Sequence, residues 1–195
     1  MRILRITNLR FGHIIYVHRK IDSTQNRAFE LARQGAEQGT VVVAQIQENG
    51  RGRQDKQWVS DKGGLYFSII YRPERTLAEV VGLTKMIGLC VKKAVEKIMT
   101  NFMQIELKTK GVNDIMLNNR KLGGILVETK SFASGEKCNQ PNYYIIGIGV
   151  NVNQNHFPRD YENIVTSLRI ETNRNFSRFK TLKSICEVLS IALPN

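Results

Sequence analysis

Two arginines alternate with two glycines in the segment Gly50-Arg51-Gly52-Arg53. Glycines allow a positive backbone φ and leave amide N–H groups accessible to an anion, while each guanidinium offers paired donors that match a phosphate or a carboxylate. These residue types therefore favour the binding of an anionic ligand. For an isolated motif of this kind, a solvated basic turn is the commoner explanation. RNA-binding segments share the motif but usually repeat it with aromatic residues in between.

A second group of candidate residues pairs a carboxylate with a lysine. Asp114 follows Asn113, and Lys121 opens a predicted strand that also carries Gly123 and Gly124. Phosphoryl and nucleotidyl transfer need a carboxylate that holds Mg²⁺ and a cation that neutralises developing charge. An ordinary hairpin with polar ends is the alternative. It does not explain two glycines inside a strand, where glycine costs stability unless something approaches the backbone closely.

The third candidate is the glycine-rich segment Gly147-Ile148-Gly149-Val150-Asn151. It begins like a dinucleotide-binding G-x-G-x-x-G fingerprint, but Val152 stands at the third glycine and no helical pattern follows. The chain also contains no G-x-x-x-x-G-K-S/T phosphate-binding loop. If a nucleotide binds, the sequence therefore predicts that neither a Rossmann motif nor a P-loop holds it.

Hydrophobic patterning indicates the elements that position these candidates. Short β-branched runs predict strands, apolar residues at helical spacing predict helices, and Asn118-Asn119 supplies a turn that joins its flanking strands as a hairpin. Residues 131–141 are polar with Gly and Pro, so we predict a loop there. The result is one mixed α/β domain, mostly hairpin-connected. The predicted strands are 14–18, 40–45, 64–71, 105–108, 114–117, 121–129 and 143–152, and the predicted helices are 25–36, 77–99 and 181–192.

The composition is that of a basic globular chain. Twenty-nine lysines and arginines against 17 acidic residues give the 195-residue chain a net charge of +12, and 42% of its residues are hydrophobic. Such a chain can bury a substantial core, which argues against intrinsic disorder. No apolar run is long enough to span a bilayer and no secretory signal opens the chain, so we expect a soluble, cytoplasmic protein. The charge favours a polyanionic partner such as nucleic acid, an acidic protein surface or nucleotide phosphates.

The cysteines and histidines predict neither a disulfide framework nor a structural metal. Three widely separated cysteines are an odd number without C-x-x-C spacing, and the three histidines share no ligand spacing. We therefore predict inert thiols, with Cys90 in a helix core and Cys138 in a polar loop. The residues concerned are Cys90, Cys138, Cys186, His13, His18 and His156.

Taken together, these segments resemble the biotin–protein ligases. The resemblance extends in order over roughly three quarters of the chain, and several motifs in the right order are far more specific than any one of them. The matching segments are Asp22-Ser23-Thr24-Gln25, Gln47 with residues 50–53 and Trp58, residues 64–68, Lys110 with Asn113-Asp114, residues 120–128, residues 147–153, and Thr166-Ser167-Leu168.

The resemblance implies a role for each candidate site residue. Lys121 and Arg53 would be the catalytic cations, placed between the biotin carboxylate and the α-phosphate of ATP, and Asp114 would contact Mg²⁺. Glycines at 50 and 124 would let the backbone approach biotin, and hydroxyl and amide groups would bind its ureido ring. The implied biotin-binding residues are Ser23, Thr24, Gln47, Gly50, Arg51, Arg53, Lys121 and Gly124, and the implied ATP-binding residues are Lys110, Asn113, Asp114 and Asn151.

The implied activity is that of an ATP-dependent biotin–protein ligase. Such an enzyme uses ATP, biotin and Mg²⁺ to form biotinyl-AMP and then transfers biotin to a lysine of a biotin carboxyl carrier domain. The implied fold is α+β, with a central mixed, mostly antiparallel sheet and helices packed mainly on one face, as in class II aminoacyl-tRNA synthetases. A mobile loop over residues 49–57, disordered without biotin, is a further expectation, and because family members often dimerise so is a homodimer.

Two alternatives stay open at the level of sequence. One is a lipoate ligase or octanoyl transferase of the same fold, although its Arg-Arg-x-Ser-Gly-Gly-Gly signature is not present. The other is a catalytically weakened domain that binds biotin or nucleic acid.

Three departures from the family pattern bear on that second alternative. Gly111-Val112 replaces the usual Trp-Pro, and Asp55 replaces a glycine found in many members. We also expect residues 1–195 to form one catalytic domain, with neither an N-terminal helix-turn-helix that would bind DNA nor the small C-terminal β-barrel. These departures favour reduced or lost ligase activity.

Overall fold

Eight strands form one sheet in the computed structural model, which describes residues 1–54, 56–73, 80–100, 102, 105–129 and 143–193. The strands are β1 (Arg2–Arg5), β2 (Ile14–His18), β3 (Val41–Ala44), β4 (Leu65–Tyr71), β5 (Leu107–Lys110), β6 (Asp114–Leu117), β7 (Arg120–Thr129) and β8 (Tyr144–Val150). Their spatial order is β1-β2-β3-β4-β8-β7-β6-β5. All neighbours pair antiparallel except β2 and β3, which are parallel. The predicted mixed, mostly antiparallel sheet is confirmed.

Four α-helices and one short 3-10 turn accompany the sheet in the described part of the chain. They are α1 (Thr24–Arg33), α2 (Val80–Ile98), α3 (Leu168–Thr172) and α4 (Arg178–Ala192), with the 3-10 turn at Arg159–Tyr161. Ser167 and Ser177 cap α3 and α4, since each hydroxyl accepts a bond from a backbone N–H three residues on. None of the described helices is both long and apolar enough to cross a membrane.

The two faces of the sheet bury different helices, because successive residues of a strand point in opposite directions. The larger core packs α2 and α4 against one face and includes Phe67 and Ile69 of β4. The smaller core packs α1 against the other face and includes the intervening Ile70 together with Ile145 of β8. Helices thus lie mainly on the α2–α4 face, as expected, and α1 lies alone on the opposite face.

Most predicted elements are present, with local differences. The strands at 14–18 and 114–117 agree with the prediction, whereas β5 begins two residues later than expected. The prediction missed β1, whose Arg-Ile-Leu-Arg sequence is largely exposed and pairs only with β2 at the sheet edge, and it missed α3, which is too short to show helical periodicity. Cys90 lies in the core side of α2 as predicted. The first residues of the helix predicted at 77–99, the loop predicted at 131–141 and Cys138 lie outside the described residues.

Candidate active site

A cavity of about 630 Å³ lies over β4, β7 and β8 on the α1 side of the sheet. That volume is in the range of small-molecule sites. Glycines of β7 and β8 form part of its floor. A side chain at Gly147 would come within 2.9 Å of the Gln25 amide oxygen, and one at Gly149 within 2.7 Å of the Trp58 ring. The glycine-rich strands therefore leave room for groups that lie directly on the backbone.

The indole ring of Trp58 lies on this glycine floor. A Cβ added to Gly124 would be 3.0 Å from the ring, and the Lys121 ammonium stands 5.2 Å from the ring centroid in a cation–π contact. The Trp58 amide donates to the carbonyl of Gly50 at 2.8 Å, so the arginine-containing loop fixes the backbone that carries the ring. The indole Nε1–H is buried and has no hydrogen-bond partner among the described residues.

Neutral polar groups meet in one part of the cavity wall. The Gln47 amide oxygen accepts bonds from the backbone N–H of Thr24 at 2.8 Å and from its hydroxyl at 3.0 Å, and the Gln47 amide nitrogen donates to the Ser60 hydroxyl at 2.8 Å. Ser68 donates to the Thr24 hydroxyl from below. These bonds fix which end of the Gln47 amide is the donor, so the wall presents a defined hydrogen-bonding pattern.

The hydroxyl of Ser23 has no hydrogen-bond partner among the described residues, although the residue is fully buried. Ser23 occupies the N-cap position of α1, where a serine hydroxyl usually accepts a backbone N–H of the first turn, yet it makes no such bond. A buried, unpaired hydroxyl is costly unless a further group satisfies it. Because Ser23 lines the cavity, a bound ligand is the natural partner.

A β-bulge turns Lys121 toward the cavity. Ile115 of β6 pairs with Gly123 of β7, but the next residue, Met116, pairs with Lys121, so Leu122 is left without a partner. Leu122 is fully buried in the α2–α4 core, on the face opposite the cavity. In a strand without the bulge, Lys121 would share the face of Gly123 and point into that core. The bulge therefore turns Leu122 into the core and Lys121 toward the cavity, the reverse of what regular alternation from Gly123 would give.

The bulge also brings Lys121 beside Asp114. The Lys121 ammonium lies 2.8 Å from the Asp114 carboxylate, and both side chains are about 30% exposed. The amide nitrogen of Asn113 donates to the same carboxylate oxygen at 3.0 Å, and its amide oxygen accepts from Arg53 at 3.0 Å. One connected group thus holds two cations and one carboxylate at the cavity, as phosphoryl chemistry requires.

The backbone of Lys121 is fixed by the chain that follows β8. Its N–H donates to the carbonyl of Ile164 at 2.8 Å, and its carbonyl accepts from Thr166 at 2.9 Å. Glu171, whose side chain is only 7% exposed, accepts from the hydroxyl of Thr166 at 2.5 Å and from Arg120 at 2.6 Å. This buried carboxylate therefore ties α3 to the strand that carries the lysine.

Asn151 forms a buried network at the cavity with two residues to which the sequence analysis gave no site role. The Asn151 amide donates to the carbonyl of Thr166 at 3.0 Å, and its oxygen accepts from Gln154 at 3.1 Å. Gln154 also donates to the Tyr66 hydroxyl, which donates in turn to the carbonyl of Asp61. Burial raises the pKa of Tyr66 far above its usual value, so the hydroxyl stays protonated and remains a donor.

The structure places ten of the twelve site residues inferred from the sequence in the cavity wall. These are Ser23, Thr24, Gln47, Arg51, Arg53, Asn113, Asp114, Lys121, Gly124 and Asn151. Gly50 and Lys110 are not among the lining residues. A Cβ on Gly50 would stand 2.5 Å from the Trp58 carbonyl oxygen, so the missing side chain serves packing within the loop. Lys110 ends β5 in register with Asp114, and its side chain is exposed.

Sequence reasoning missed an apolar part of the wall. This part follows β8 and consists of Phe157, Pro158, Tyr161, Ile164 and Val165. Neither strand alternation nor helical periodicity marks this segment, which reaches the cavity because Ile164 and Thr166 pair with Lys121. The local signal was limited to a few apolar and aromatic residues scattered through a polar stretch.

Comparisons with known proteins identify relatives of this chain in both sequence and structure. The sequence profile of the biotin/lipoate A/B protein ligase family matches residues 17–151. The bifunctional ligase/repressor BirA of Bacillus subtilis is 35% identical over 190 residues, covering 92% of this chain and 55% of that protein. The biotin protein ligase from Aquifex aeolicus in complex with biotin and ATP superposes with a TM-score of 0.76 at 31% identity, covering 91% of this chain and 69% of that one.

A second solved relative carries a bound ligand of another kind. The biotin protein ligase from Leishmania major in complex with biotinyl-5-AMP superposes with a TM-score of 0.72 at 25% identity, over 91% of this chain and 74% of that one. The present chain spans about half the length of the BirA protein of Bacillus subtilis. The family profile covers 135 of the 195 residues, from 17 to 151. The chain therefore belongs to the biotin/lipoate A/B protein ligase family, as its resemblance to biotin–protein ligases had indicated.

Proposed function

We propose that this chain is the catalytic part of an ATP-dependent biotin–protein ligase. The observation that carries the proposal is one cavity in which a fixed neutral polar wall at Thr24 and Gln47 accompanies the cations Lys121 and Arg53 beside the carboxylate of Asp114. The neutral wall suits an uncharged ureido ring. The charged group suits the meeting of a carboxylate with a phosphate.

Recognition of the ureido ring would rest on groups whose hydrogen-bonding roles are set by the protein. The buried Ser23 hydroxyl has no other described partner, and the Gln47 amide is fixed by Thr24 and Ser60. A ligand that lacks matching polar groups would leave the Ser23 hydroxyl unsatisfied, which costs about 1–3 kcal/mol. This cost favours a ureido ring over a purely apolar ring of similar size.

In the first step the biotin carboxylate oxygen attacks the α-phosphorus of ATP, and the bond to the departing pyrophosphate breaks. The product is the mixed anhydride biotinyl-AMP. Both reactants are anions, so their approach needs neutralisation, which Lys121 and Arg53 supply at the cavity. Removal of one such preorganised charge typically slows a reaction by about 10²–10³-fold.

The residues at Asp114 fit a magnesium ion that arrives with ATP. Magnesium is usually held by one or two carboxylates together with substrate phosphates, and the described residues contain no group of three or more metal-ligating side chains that would form an all-protein site. Asp114, with Asn113 beside it, would hold the ion, which supplies charge neutralisation to the phosphates when bound.

In the second step the amine of an acceptor lysine attacks the acyl carbon of the anhydride. The bond to AMP breaks, AMP leaves, and the new amide nitrogen loses a proton. The anhydride must be kept from water until the acceptor arrives, and the loop that carries Arg51 and Arg53, which line the cavity, would shield it. We infer that the acceptor lysine belongs to a biotin carboxyl carrier domain.

The decisive experiment is biotin-dependent exchange between ATP and labelled pyrophosphate. We expect exchange in the unmodified chain and a loss of about 10²–10³-fold in Lys121→Ala. Lys183→Ala is the matched control, because that lysine lies exposed on α4 at the opposite face of the sheet. Exchange that persists in Lys121→Ala would remove the lysine from the mechanism.

The same assay, run beside direct binding measurements, separates the alternatives. Exchange driven by lipoate or octanoate and not by biotin would assign the chain to the lipoate branch that the family name also covers. Binding of biotin without any exchange would indicate a binding domain. Nucleic-acid binding that weakens steeply with salt, without exchange, would indicate a nucleic-acid-binding domain.

A further inference from the structure

Glu128 joins the sheet, helix α1 and the arginine-containing loop through one carboxylate oxygen. Its Oε2 accepts a hydrogen bond from the Gln25 amide at 2.7 Å and from an Arg51 guanidinium nitrogen at 3.1 Å. Gln25 is only 4% exposed, in α1, and Glu128 lies near the end of β7. Glu128 is not among the described residues that line the cavity, whereas Gln25 and Arg51 both are.

Arg51 lies at the start of the arginine loop, which we define as residues 50–54. The backbone of Arg51 forms an isolated β-bridge with Gln57, and Gly52 donates to the carbonyl of Lys56 at 2.6 Å, so the chain turns back on itself here. The other terminal nitrogen of Arg51 donates to Asn26 at 2.6 Å. Both terminal guanidinium nitrogens are thus held by the protein, one of them by Glu128.

We propose that Glu128 is a positioning residue that latches the arginine loop against the sheet and thereby sets how long a bound ligand stays in the cavity. The part that concerns a ligand rests on the proposed function, whereas the latch itself does not. Arg51 and Glu128 are each about one third exposed, so water competes for the pair and the contact is weak enough to open and close in each turnover.

The contact with Gln25 connects the latch to the cavity floor. A Cβ built on Gly147 would lie 2.9 Å from the Gln25 amide oxygen, which is buried and has no partner among the described residues. Glu128 orients that amide by accepting from its nitrogen. In Glu128→Gln the charge that holds Arg51 is lost, so the contact with Arg51 weakens. The neutral glutamine oxygen can still accept the bond from Gln25. Glu128→Gln therefore tests the contact with Arg51 separately from the contact with Gln25.

The latch can be measured without a ligand by limited trypsin digestion, because Arg53 lies in the loop. We expect Glu128→Gln to raise the rate of cleavage after Arg53 by about two- to fivefold, as for the loss of a partly exposed ion pair. Arg51→Met should raise the rate of cleavage after Arg53 by a similar factor, because it removes the cation of the same ion pair. Glu187→Gln is the matched control, since Glu187 is a similarly exposed carboxylate paired with lysines on the far face.

The consequence for the ligand is measured as the dissociation rate of biotin from the same proteins. Glu128→Gln should raise that rate by about two- to fivefold, and in an Arg51→Met background it should add nothing, because Glu128 acts through Arg51. An unchanged cleavage rate after Arg53 in both single variants would overturn the latch. So would a full effect of Glu128→Gln on dissociation in the Arg51→Met background. Faster cleavage in a chain that binds no biotin would leave the latch standing and refute the proposed function.

Discussion

The ammonium of Lys121 lies 2.8 Å from the carboxylate of Asp114, on the neighbouring strand. The pair forms only because β7 has a bulge at Leu122, which places Lys121 on the same face of the sheet as Asp114. Each side chain balances the charge of the other at the edge of a cavity where we propose that two anions react. The two residues should therefore behave as one unit when either is changed.

Asp114→Asn should lower biotin-dependent pyrophosphate exchange by about 10²-fold, because it removes the carboxylate beside the proposed catalytic lysine and the proposed contact to magnesium. The double variant Asp114→Asn/Lys121→Ala should be about as slow as Lys121→Ala alone, since residues that act together are not additive. The rate of exchange at saturating biotin is the measurement. Losses that multiply in the double variant would show that the two residues act independently.

Two glycine-to-alanine substitutions should change stability in opposite directions. A Cβ at Gly123 would stand 2.6 Å from the carbonyl oxygen of Gly149 in the paired strand, so Gly123→Ala should lower the free energy of unfolding by about 1–3 kcal/mol. A Cβ at Gly88 in α2 would make ordinary contacts at 3.7 Å or more, so Gly88→Ala should raise it by about 0.4–1 kcal/mol. Urea denaturation measures both, and equal effects would contradict the packing at the bulge.

Trp58 should report ligand binding directly, because it is the one tryptophan of the chain and its ring lines the cavity. We expect saturating biotin to reduce quenching of its fluorescence by acrylamide, since a ligand on the glycine floor would shield the ring. Lys121→Ala should alter the emission of the free protein because it removes the cation above the ring, whereas Lys183→Ala should not. Acrylamide quenching that is unchanged by saturating biotin would show that the ligand binds away from Trp58.

Cys186 should give a measurable alkaline dependence of stability. Burial raises the pKa of its thiol from 9.0 to about 12, so between those values the unfolded chain ionises while the folded chain keeps its proton. The free energy of unfolding should therefore fall by up to about 2–3 kcal/mol between pH 9 and pH 11, and Cys186→Ala should remove that part of the slope. Denaturation at several pH values tests this, and an unchanged slope in the variant would contradict it.

Much of the architecture followed from local sequence pattern. The β-branched runs at 14–18 and 40–45 predicted two strands, and Asn118-Asn119 predicted the hairpin that brings Asp114 near Lys121. Both asparagines adopt the positive φ that such a turn needs. These features depend on residues close together in the chain, where propensity and turn chemistry decide the outcome.

Other features depend on contacts between distant residues and left no local signal. The bulge at Leu122 places Leu122 in the core and Lys121 at the cavity. Strand alternation alone does not show which residue of the strand is extra. The bond between Arg51 and Glu128 joins residues 77 positions apart. The short helix α3 is stabilised by its Ser167 cap and by Glu171, and its five residues are too few for periodicity.

The separation of the two sheet faces has a consequence for how this chain can change. In β4 the residues Tyr66 and Ser68 serve the cavity side while Phe67 and Ile69 fill the α2–α4 core, and Gly149 follows the core residue Ile148 in the same manner in β8. Along these strands, side chains that face the cavity thus alternate with side chains that stabilise the fold. Substitutions at the cavity-facing positions can therefore change which ligand fits, while the core-facing positions between them keep the protein folded.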